Sequence, residues 1–463
     1  MSRPTTVGEL RNSGWESVPV KEEMRRNAVA KVAAGEPLFD GVLGYENTVL
    51  PQLENAVLAG HDVVFLGERG QAKTRMIRSM VNLLDEWMPF IEGSEIYDDP
   101  YNPISKHAKD LVEEKGDDAP IDWAHRSVRF GEKLATPDTS IADLIGEVDP
   151  IKVAEGRYLS DELTLHYGLV PRTNRGIFAI NELPDLAERI QVGLLNVLEE
   201  RDVQIRGHKV RLPLDVLLVA TANPEDYTNR GRIITPLKDR YGAQIRTHYP
   251  ESTDLEIAIM RQEATPVAIE GMPVSVPDYI EEILAELTHL ARRSPDVNQR
   301  SGVSVRASIA NYEVVTANAL RRALRTGETE IVPRLSDLPF VVSSLMGKVE
   351  FEAMDDGKEE LIVERLLGAA VKRVFDRRLD PQLTEPVALA FADGLSIDVA
   401  EDMPASEYEA LLERTEGLAG AIEPLAAGTP GELTAAVEFV LEGLHMNHLL
   451  NKITVGGSST FTA

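Results

Sequence analysis

The chain has 463 residues, a formal net charge of −28 and no cysteine. Its length allows roughly two or three domains, and a hydrophobic content of 43% with 27% charged residues is ordinary for a globular protein. The absence of cysteine excludes disulfides, thiolate zinc sites and cysteine nucleophiles, and the negative charge argues against wrapping nucleic acid. No apolar run reaches membrane-spanning length and the N-terminus has no apolar signal region, so the expected location is the cytoplasm.

The N-terminal segment, residues 1–40, is predicted to contain one helix from about Lys21 to Ala34. Glu22 and Glu23 fall on this helix and are interpreted as part of a solvated face, because runs of charge on helices usually face water. A second helix, Val49 to Leu58, is predicted just ahead of the first strand.

Val42, Leu43 and Tyr45 lie before that second helix and allow two interpretations. One is a turn that packs on the helix. The other is the apolar wall of an adenine pocket. The residues themselves leave both interpretations open.

A candidate phosphate-binding loop is the central motif of the chain. Val63 to Leu66 is a short apolar run bounded by turn residues, as in a buried parallel strand, and a helical pattern follows the loop. In such a loop, backbone N–H groups hold phosphates, a lysine adds charge and a hydroxyl ligates Mg²⁺. The candidate nucleotide-binding residues are Gly67, Arg69, Gly70, Gln71, Ala72, Lys73, Thr74 and Arg75. Because Ala72 replaces the second glycine of the strict motif, an ordinary strand-to-helix turn remains an alternative for this stretch alone.

The stretch from about Phe90 to Ser127 is polar, rich in Asp, Glu and Pro, and shows no clear periodicity. It is expected to be a long inserted loop, either functional or partly disordered. A strand-like run, Ser127 to Phe130, follows it.

Two further buried strands end in polar residues. Ile177 to Ile180 leads to Glu182, and Val216 to Ala220 leads to Asn223. Carboxyl ends of parallel strands are where an α/β sheet presents its chemistry, so Lys73, Glu182 and Asn223 are expected to converge on one site. This convergence favours nucleotide binding over an ordinary turn at the loop.

Helix and hairpin patterns fill the rest of the chain. Leu183 to Glu200 is helical, and Val203 to Leu212 alternates around Gly207 as a hairpin does. The later predicted helices are Asp254 to Glu263, Pro277 to Arg293, Ser304 to Thr326 and Leu361 to Arg378.

The last segment, 381–463, is acidic and is expected to be helical, with one apolar stripe that packs on its own domain. The stripe consists of Leu433, Val437, Val440 and Leu444. His445 and His448 follow it and could be metal ligands, but with no third ligand in view a surface pair is the favoured interpretation.

As a set, these motifs resemble the AAA+ ATPases of the MoxR and magnesium-chelatase I-subunit group over about residues 38–325. The resemblance implies an α/β P-loop core with a parallel sheet, flanking helices, an insert and a hairpin, followed by an all-α lid. The implied boundaries are 41–250 for the core with its insert at about 90–175, 251–380 for the lid and 381–463 for a helical C-terminal extension.

Several stretches carry this resemblance. MoxR-type loops often have alanine at the position of Ala72. Pro137 to Arg175 looks like the extra insert of the group, and the hairpin around Gly207 stands where the group has one. Leu237 to Gly242 matches its Leu-Asp-Arg-Phe block, and Ser304 to Ser308 matches the segment of its lid arginine.

The resemblance also implies roles for the converging residues. Lys73 would contact the β- and γ-phosphates of ATP, Thr74 would hold Mg²⁺, Glu182 would polarise the attacking water and Asn223 would orient it. The group usually has Asp-Glu at the end of the second strand, whereas this chain has Asn181 before Glu182. Asn181 brings no charge to Mg²⁺ but can accept a hydrogen bond from a metal-bound water.

Two arginines are implied to act from outside this cluster. Arg306 in the lid would sense the γ-phosphate, and Arg240 would reach the γ-phosphate of a neighbouring subunit. Arg240 could instead be an ordinary ion-pair partner near Asp239, and Arg230 and Arg232 compete for its role.

The function implied is an ATP-hydrolysing AAA+ ATPase that forms a ring, expected to be hexameric, and remodels a protein partner. A partner with a von Willebrand A domain is the candidate, because relatives work with one and its metal site accepts a carboxylate. A nucleotide-gated scaffold with little hydrolysis is one alternative, supported by Asn181. A DNA-linked motor or regulator is the other, and the charge of −28 counts against it.

Overall fold

The computed structural model describes residues 3–148, 164–199, 202–204, 211–223, 232–298, 301–352, 358–425 and 427–463. The chain divides into two compact units, Met1–His248 and Tyr249–Ala463. Residues 149–163 of the predicted insert, the tip of the hairpin around Gly207, and Arg230 lie outside the described residues. The finer boundaries expected from the sequence remain predictions.

The first unit alternates strands and helices. Its described strands are β1 (Val63–Leu66), β2 (Trp87–Ile91), β3 (Ile121–His125), β4 (Phe130–Leu134), β5 (Gly146–Val148), β6 (Leu165–Tyr167), β7 (Gly176–Asn181), β8 (Asp202–Gln204), β9 (Arg211–Pro213), β10 (Val216–Ala222) and β11 (Ala243–Arg246). Its described helices are α1 (Val7–Asn12), α2 (Val20–Ala33), α3 (Val49–Ala59), α4 (Lys73–Ser79), α5 (Lys106–Lys115), α6 (Ile141–Leu144), α7 (Leu169–Arg172), α8 (Glu188–Glu199) and α9 (Thr235–Arg240).

A five-stranded parallel sheet in the order β11-β1-β10-β7-β4 forms the centre of this unit. The strand before the phosphate-binding loop therefore pairs with the strand that leads to Asn223, and that strand pairs with the one that ends at Asn181. In register, Leu66 faces Ala222, and Leu134 faces Asn181. The predicted α/β class with a parallel sheet is confirmed.

Helices cover both faces of the sheet. Since successive side chains of a strand point to opposite faces, the residues of β1 divide between two core clusters. Val64 belongs to a core cluster that includes residues of α8 and α9. Val63 and Phe65 belong to a cluster with residues of α2, α3 and α4. This two-sided burial explains why the parallel strands appear in the sequence as continuous apolar runs.

The stretch predicted as a long inserted loop is folded, so that prediction is wrong. Strands β2 and β3 form an antiparallel pair, α5 lies between them in sequence, and Val7 and Leu10 of α1 share a small apolar cluster with Ile91 and Ile121. Abundant charged and turn residues around these elements obscured their periodicity. The strand expected at Ser127 is also displaced, since β4 begins at Phe130.

Glu23 is buried, which corrects its assignment to a solvated face. The side chain of Arg129 is 0% exposed and donates to both carboxylate oxygens of Glu23, at 2.7 and 2.6 Å. Arg129 also donates to the carbonyl of Arg175 at 2.9 Å from Nε. The partners lie 106 residues apart, so no local pattern could pair them.

The second unit is mainly helical. Its described helices are α10 (Thr253–Glu263), α11 (Asp278–Ala291), α12 (Val305–Thr326), α13 (Val341–Met346), α14 (Lys358–Arg378), α15 (Pro381–Ala392), α16 (Ala405–Arg414), α17 (Leu418–Ile422) and α18 (Pro430–Met446). Its described strands are β12 (Ile397–Ala400), β13 (Asn451–Val455) and β14 (Ser458–Thr462).

The segment 381–463 is mainly helical, as predicted, and it also contains a three-stranded antiparallel sheet in the order β12-β14-β13, which was not predicted. Gly456 and Gly457 connect β13 to β14 with φ values of 61° and 85°. Two left-handed glycines are the usual signature of a tight hairpin, so this turn was readable from the sequence.

The apolar stripe of α18 packs within its own unit, as predicted, and Val437, Val440 and Leu444 are fully buried. The ring of His445 contacts the carbonyl of Leu450 at 3.0 Å. Within the described ranges, no group of three His, Cys, Asp or Glu residues could hold a metal ion. Nor does any helix in those ranges have the length and apolarity needed to cross a membrane.

Candidate nucleotide-binding site

The loop after β1 has positive φ angles at two residues, of which only one is a glycine. Gly70 and Ala72 both have positive φ, at 73° and 53°. A Cβ added at Gly67 would lie 1.9 Å from Oγ1 of Thr247 and 2.3 Å from Oε1 of Gln71, so Gly67 permits a close approach that no other residue could. Ala72 occupies the position where the strict motif has glycine, and its left-handed backbone is the reason that glycine is preferred there.

Lys73 is the first residue of α4, and its side chain is turned back over the loop. Its Nζ donates to the carbonyl of Gly67, to the carbonyl of Glu68 at 2.7 Å and to Oδ1 of Asn223 at 2.8 Å. Lys73 is 9% exposed. A buried ammonium held inside a loop of this kind provides the positive charge that a phosphate-binding site requires.

Thr221 connects the ends of β10 and β7. Its hydroxyl accepts from the backbone N–H of Glu182 at 3.0 Å and lies 3.5 Å from Oδ1 of Asn181. Glu182 has a left-handed backbone, with φ 55° and ψ 47°, and its side chain is half-buried. Such a strained conformation outside glycine is typical of functional positions. Sequence reasoning missed Thr221, although it directly follows the apolar run of its strand.

Asn181 contacts a carboxylate that the sequence interpretation also missed. Its Nδ2 donates to Oε1 of Glu132 at 2.5 Å, and Oε2 of Glu132 accepts from Nη2 of Arg78 at 2.9 Å. Glu132 lies on β4, beyond the point where the predicted strand ended. A charged residue inside an edge strand of the central sheet was the available signal.

The residues at this edge fit Mg²⁺ bound together with a nucleotide. Thr74 offers a hydroxyl, Asn181 an amide oxygen and Glu182 a carboxylate. Magnesium usually takes one or two protein ligands and fills its remaining positions with phosphate and water oxygens. The donors present are therefore suited to a shared nucleotide–metal site and not to a metal held by protein alone.

Tyr45 contacts the backbone of the phosphate-binding loop. Its hydroxyl lies within hydrogen-bond distance of the carbonyls of His248 and Gln71, at 2.7 and 3.1 Å, and can donate its one proton to either. Burial raises the pKa of Tyr45 to about 12, so the phenol stays neutral and remains a donor. Val42 and Tyr45 are buried in the apolar cluster of α3 and α4, whereas Leu43 is half-buried. The adenine wall remains a prediction, with Leu43 as its most accessible member.

The arginines lie at separate places. Arg69 and Arg75 are exposed on the loop and on α4. Arg240 ends α9, is 36% exposed and lies 3.5 Å from Oδ2 of Asp239. Arg232 is exposed, and Arg306 is exposed at the start of α12 in the second unit. The structure thus brings Lys73 together with the strand ends, while the arginine roles remain predictions.

Comparisons with known proteins agree with this arrangement. A family profile described as the Sigma-54 interaction domain matches residues 155–237. The magnesium-chelatase subunit ChlI of Nostoc sp. is 24% identical over 357 residues, which cover 71% of this chain and 90% of that protein. The ChlI subunit of Nephroselmis olivacea is 28% identical over 49% of this chain and 61% of its own length.

The chain is similar to the AAA+ ATPases of the magnesium-chelatase I-subunit group. A solved structure that describes the complex between subunits BchI and BchD of magnesium chelatase aligns with 78% of this chain at 16% identity and a TM-score of 0.33. At that score the alignment adds nothing to the fold already described.

Proposed function

We propose that this chain is an AAA+ ATPase that binds ATP with Mg²⁺, hydrolyses it at the sheet edge and works as a ring that remodels a protein partner. The observation that carries the proposal is the contact between Lys73 and Asn223, beside the ends of β7 and β10 where Glu182 lies. Phosphoryl transfer to water needs positioned charge more than covalent chemistry, and these groups supply both signs of charge and an amide.

Each side chain then has a role. Lys73 would neutralise charge on the phosphates, and Thr74 and Asn181 would hold Mg²⁺ through its coordination shell. When bound, Mg²⁺ supplies stabilisation of the charge that develops on the phosphates. Glu182 accepts a proton from the attacking water, and Asn223 orients that water. Glu182 is half-buried, which leaves part of the residue accessible to water.

The proposal also includes assembly of the chain into a ring. Arg240 is exposed at the end of α9, where it can serve a neighbouring subunit, and Arg306 is exposed on α12. A hexamer in which Arg240 completes the site of the next chain agrees with both positions. The wide similarity to ChlI subunits supports a protein partner, since the related subunit BchI is described in complex with BchD.

Steady-state ATP hydrolysis by the purified protein tests the proposal, with Lys73→Ala as the blank. The wild type should hydrolyse ATP in the presence of Mg²⁺ and lose this activity in EDTA. A wild-type rate equal to that of Lys73→Ala would overturn hydrolysis as the function. Mass photometry with and without ATP tests the ring, and a monomer under both conditions would contradict it.

A nucleotide-gated scaffold is the second candidate, and Asn181 favours it. An amide in place of the usual carboxylate leaves less negative charge around Mg²⁺. Under this alternative, ATP binds and drives assembly while hydrolysis stays at the level of Lys73→Ala. Binding of a fluorescent ATP analogue, measured beside the hydrolysis assay, separates the two candidates.

A partner with a von Willebrand A domain completes the proposal. The metal site of such a domain takes a carboxylate ligand, and this chain carries an excess of acidic residues. Purification from native lysate with and without EDTA should yield such a partner only when the metal is present. Recovery of no such protein under either condition would remove this part of the proposal.

A further inference from the structure

Asn181 leaves a deficit of charge at the candidate metal site, and Glu132 lies directly beside it. The Nδ2 of Asn181 donates to Oε1 of Glu132 at 2.5 Å. Their strands are adjacent and parallel, and Glu132 pairs in register with Ala179, two residues before Asn181. A carboxylate therefore reaches the strand end from the neighbouring strand.

The contact also determines how Asn181 is oriented. Because its NH₂ group donates to Glu132, its amide oxygen is the atom left to accept hydrogen bonds. That oxygen lies 3.5 Å from Oγ1 of Thr221. An acceptor with a fixed orientation is suited to a water bound to Mg²⁺.

Glu132 is held from its other side by the helix that follows the phosphate-binding loop. Its Oε2 accepts from Nε and Nη2 of Arg78, at 3.2 and 2.9 Å. Arg78 lies four residues after Thr74 on α4, so the two side chains share one face of the helix. Glu132 is thus placed on the face of α4 that carries the hydroxyl expected to ligate Mg²⁺.

The ion pair does not cancel the charge of Glu132. The Arg78 side chain is 64% exposed while that of Glu132 is 23% exposed. An exposed guanidinium is screened by water and salt, and such pairs contribute little. Among the described residues, Oε1 of Glu132 accepts only from Asn181 and keeps a second lone pair, so Glu132 can still accept from a metal-bound water.

We propose that Glu132 is a positioning residue for the metal site, supplying from β4 the negative charge that Asn181 lacks and orienting the amide of Asn181. This inference rests on the proposed nucleotide and Mg²⁺ binding. It explains how a chain with an amide at the end of β7 keeps a metal-binding nucleotide site. It also predicts that the charge can be moved between the two positions.

The test moves the carboxylate from position 132 to position 181 and measures nucleotide binding. Filter binding of radiolabelled ATPγS is measured across free Mg²⁺ concentrations for the wild type, Glu132→Gln, and Glu132→Gln combined with Asn181→Asp. Glu132→Gln should raise the Mg²⁺ concentration for half-maximal binding by roughly 10-fold, as loss of an outer-shell partner does. The double variant should return to within about 3-fold of the wild type, because Asn181→Asp restores one carboxylate beside one amide.

Two controls separate this role from a structural one. Arg78→Gln removes the other partner of Glu132 without removing its charge, so it should not raise the Mg²⁺ requirement. The thermal unfolding temperature, measured without nucleotide or metal, should be similar for the wild type and for all of these variants, including Glu132→Gln. A merely structural role would instead lower the unfolding temperature of Glu132→Gln in the absence of nucleotide and metal.

The outcomes are distinguishable. An unchanged Mg²⁺ requirement in Glu132→Gln, or a failure of Asn181→Asp to rescue it, would overturn the role of Glu132 while the wild type still binds ATPγS. A wild type that binds no ATPγS at any Mg²⁺ concentration would overturn the proposed function and this inference together.

Discussion

Lys73 donates a hydrogen bond from Nζ to Oδ1 of Asn223 at 2.8 Å, although 150 residues separate them in sequence. The contact exists because β1 and β10 are adjacent and parallel, so the loop that follows one lies beside the end of the other. The phosphate-binding lysine and the amide expected to orient water are therefore parts of one hydrogen-bonded group.

Asn223→Ala should separate binding from hydrolysis. Lys73 keeps its two carbonyl partners, Gly67 and Glu68, so ATP binding should change by less than about 3-fold. Hydrolysis should fall roughly 100-fold, because a positioned polar group at the reacting centre is lost. The exposed Asn82→Ala serves as control, and equal losses of binding and hydrolysis in Asn223→Ala would contradict the assigned role.

Glu182→Gln should bind ATP and fail to hydrolyse it. The substitution keeps the shape of the side chain and removes the basic carboxylate, which typically supplies about 100-fold or more in rate. The backbone N–H that bonds to Thr221 is unaffected. Binding and single-turnover assays measure the two effects, with the exposed Glu188→Gln as control. Loss of ATP binding would show instead that Glu182 has a structural role.

Ala72→Gly should leave the free energy of unfolding nearly unchanged, whereas the same substitution within a helix should lower it. Ala72 has φ 53°, where a Cβ costs about 1 kcal/mol, and relief of that cost offsets the greater freedom of glycine in the unfolded chain. The same change at Ala30, exposed on α2, should cost about 1 kcal/mol. Urea unfolding followed by fluorescence reports the first unit, which contains all three tryptophans. Equal destabilisation at both positions would argue against strain at Ala72.

Arg240→Ala should leave ATP binding nearly intact while hydrolysis falls by about 1,000-fold or more, if it acts on a neighbouring subunit. Mixing is the sharper measurement. Arg240→Ala and Glu182→Gln subunits are each expected to be inactive alone. Mixed rings should recover part of the activity, because some interfaces pair an intact pocket with an intact arginine. Demonstrated mixed rings without recovery at any ratio would remove the case for Arg240, and Arg232→Ala is the matched comparison.

Arg129→Met should destabilise the first unit by about 3–5 kcal/mol, because it leaves the carboxylate of Glu23 buried without its partner. Arg11→Met is the control, since Arg11 and Asp117 form an ion pair with side chains that are 61% and 64% exposed. Tryptophan fluorescence in urea measures both. Similar midpoints for the two variants would show that the buried pair contributes no more than an exposed one.

Local sequence determined the central elements and the chemistry at their ends. Buried parallel strands are continuous apolar runs, and β1, β7 and β10 were predictable because each run is followed by turn residues or a helical pattern. Lys73, Glu182 and Asn223 could be placed at strand ends for the same reason. Periodicity likewise predicted the long helices of the second unit, where one apolar stripe faces the core.

Tertiary structure alone decided the contacts that join distant segments. Glu23 is buried with Arg129 and the backbone N–H of Asp85 as its partners, and Glu132 meets Asn181 because β4 lies beside β7. Such pairs satisfy charged groups across adjacent elements, and sequence spacing contains no information about which elements will be adjacent. The strand order of the sheet therefore determined which carboxylate stands next to the amide at the candidate metal site.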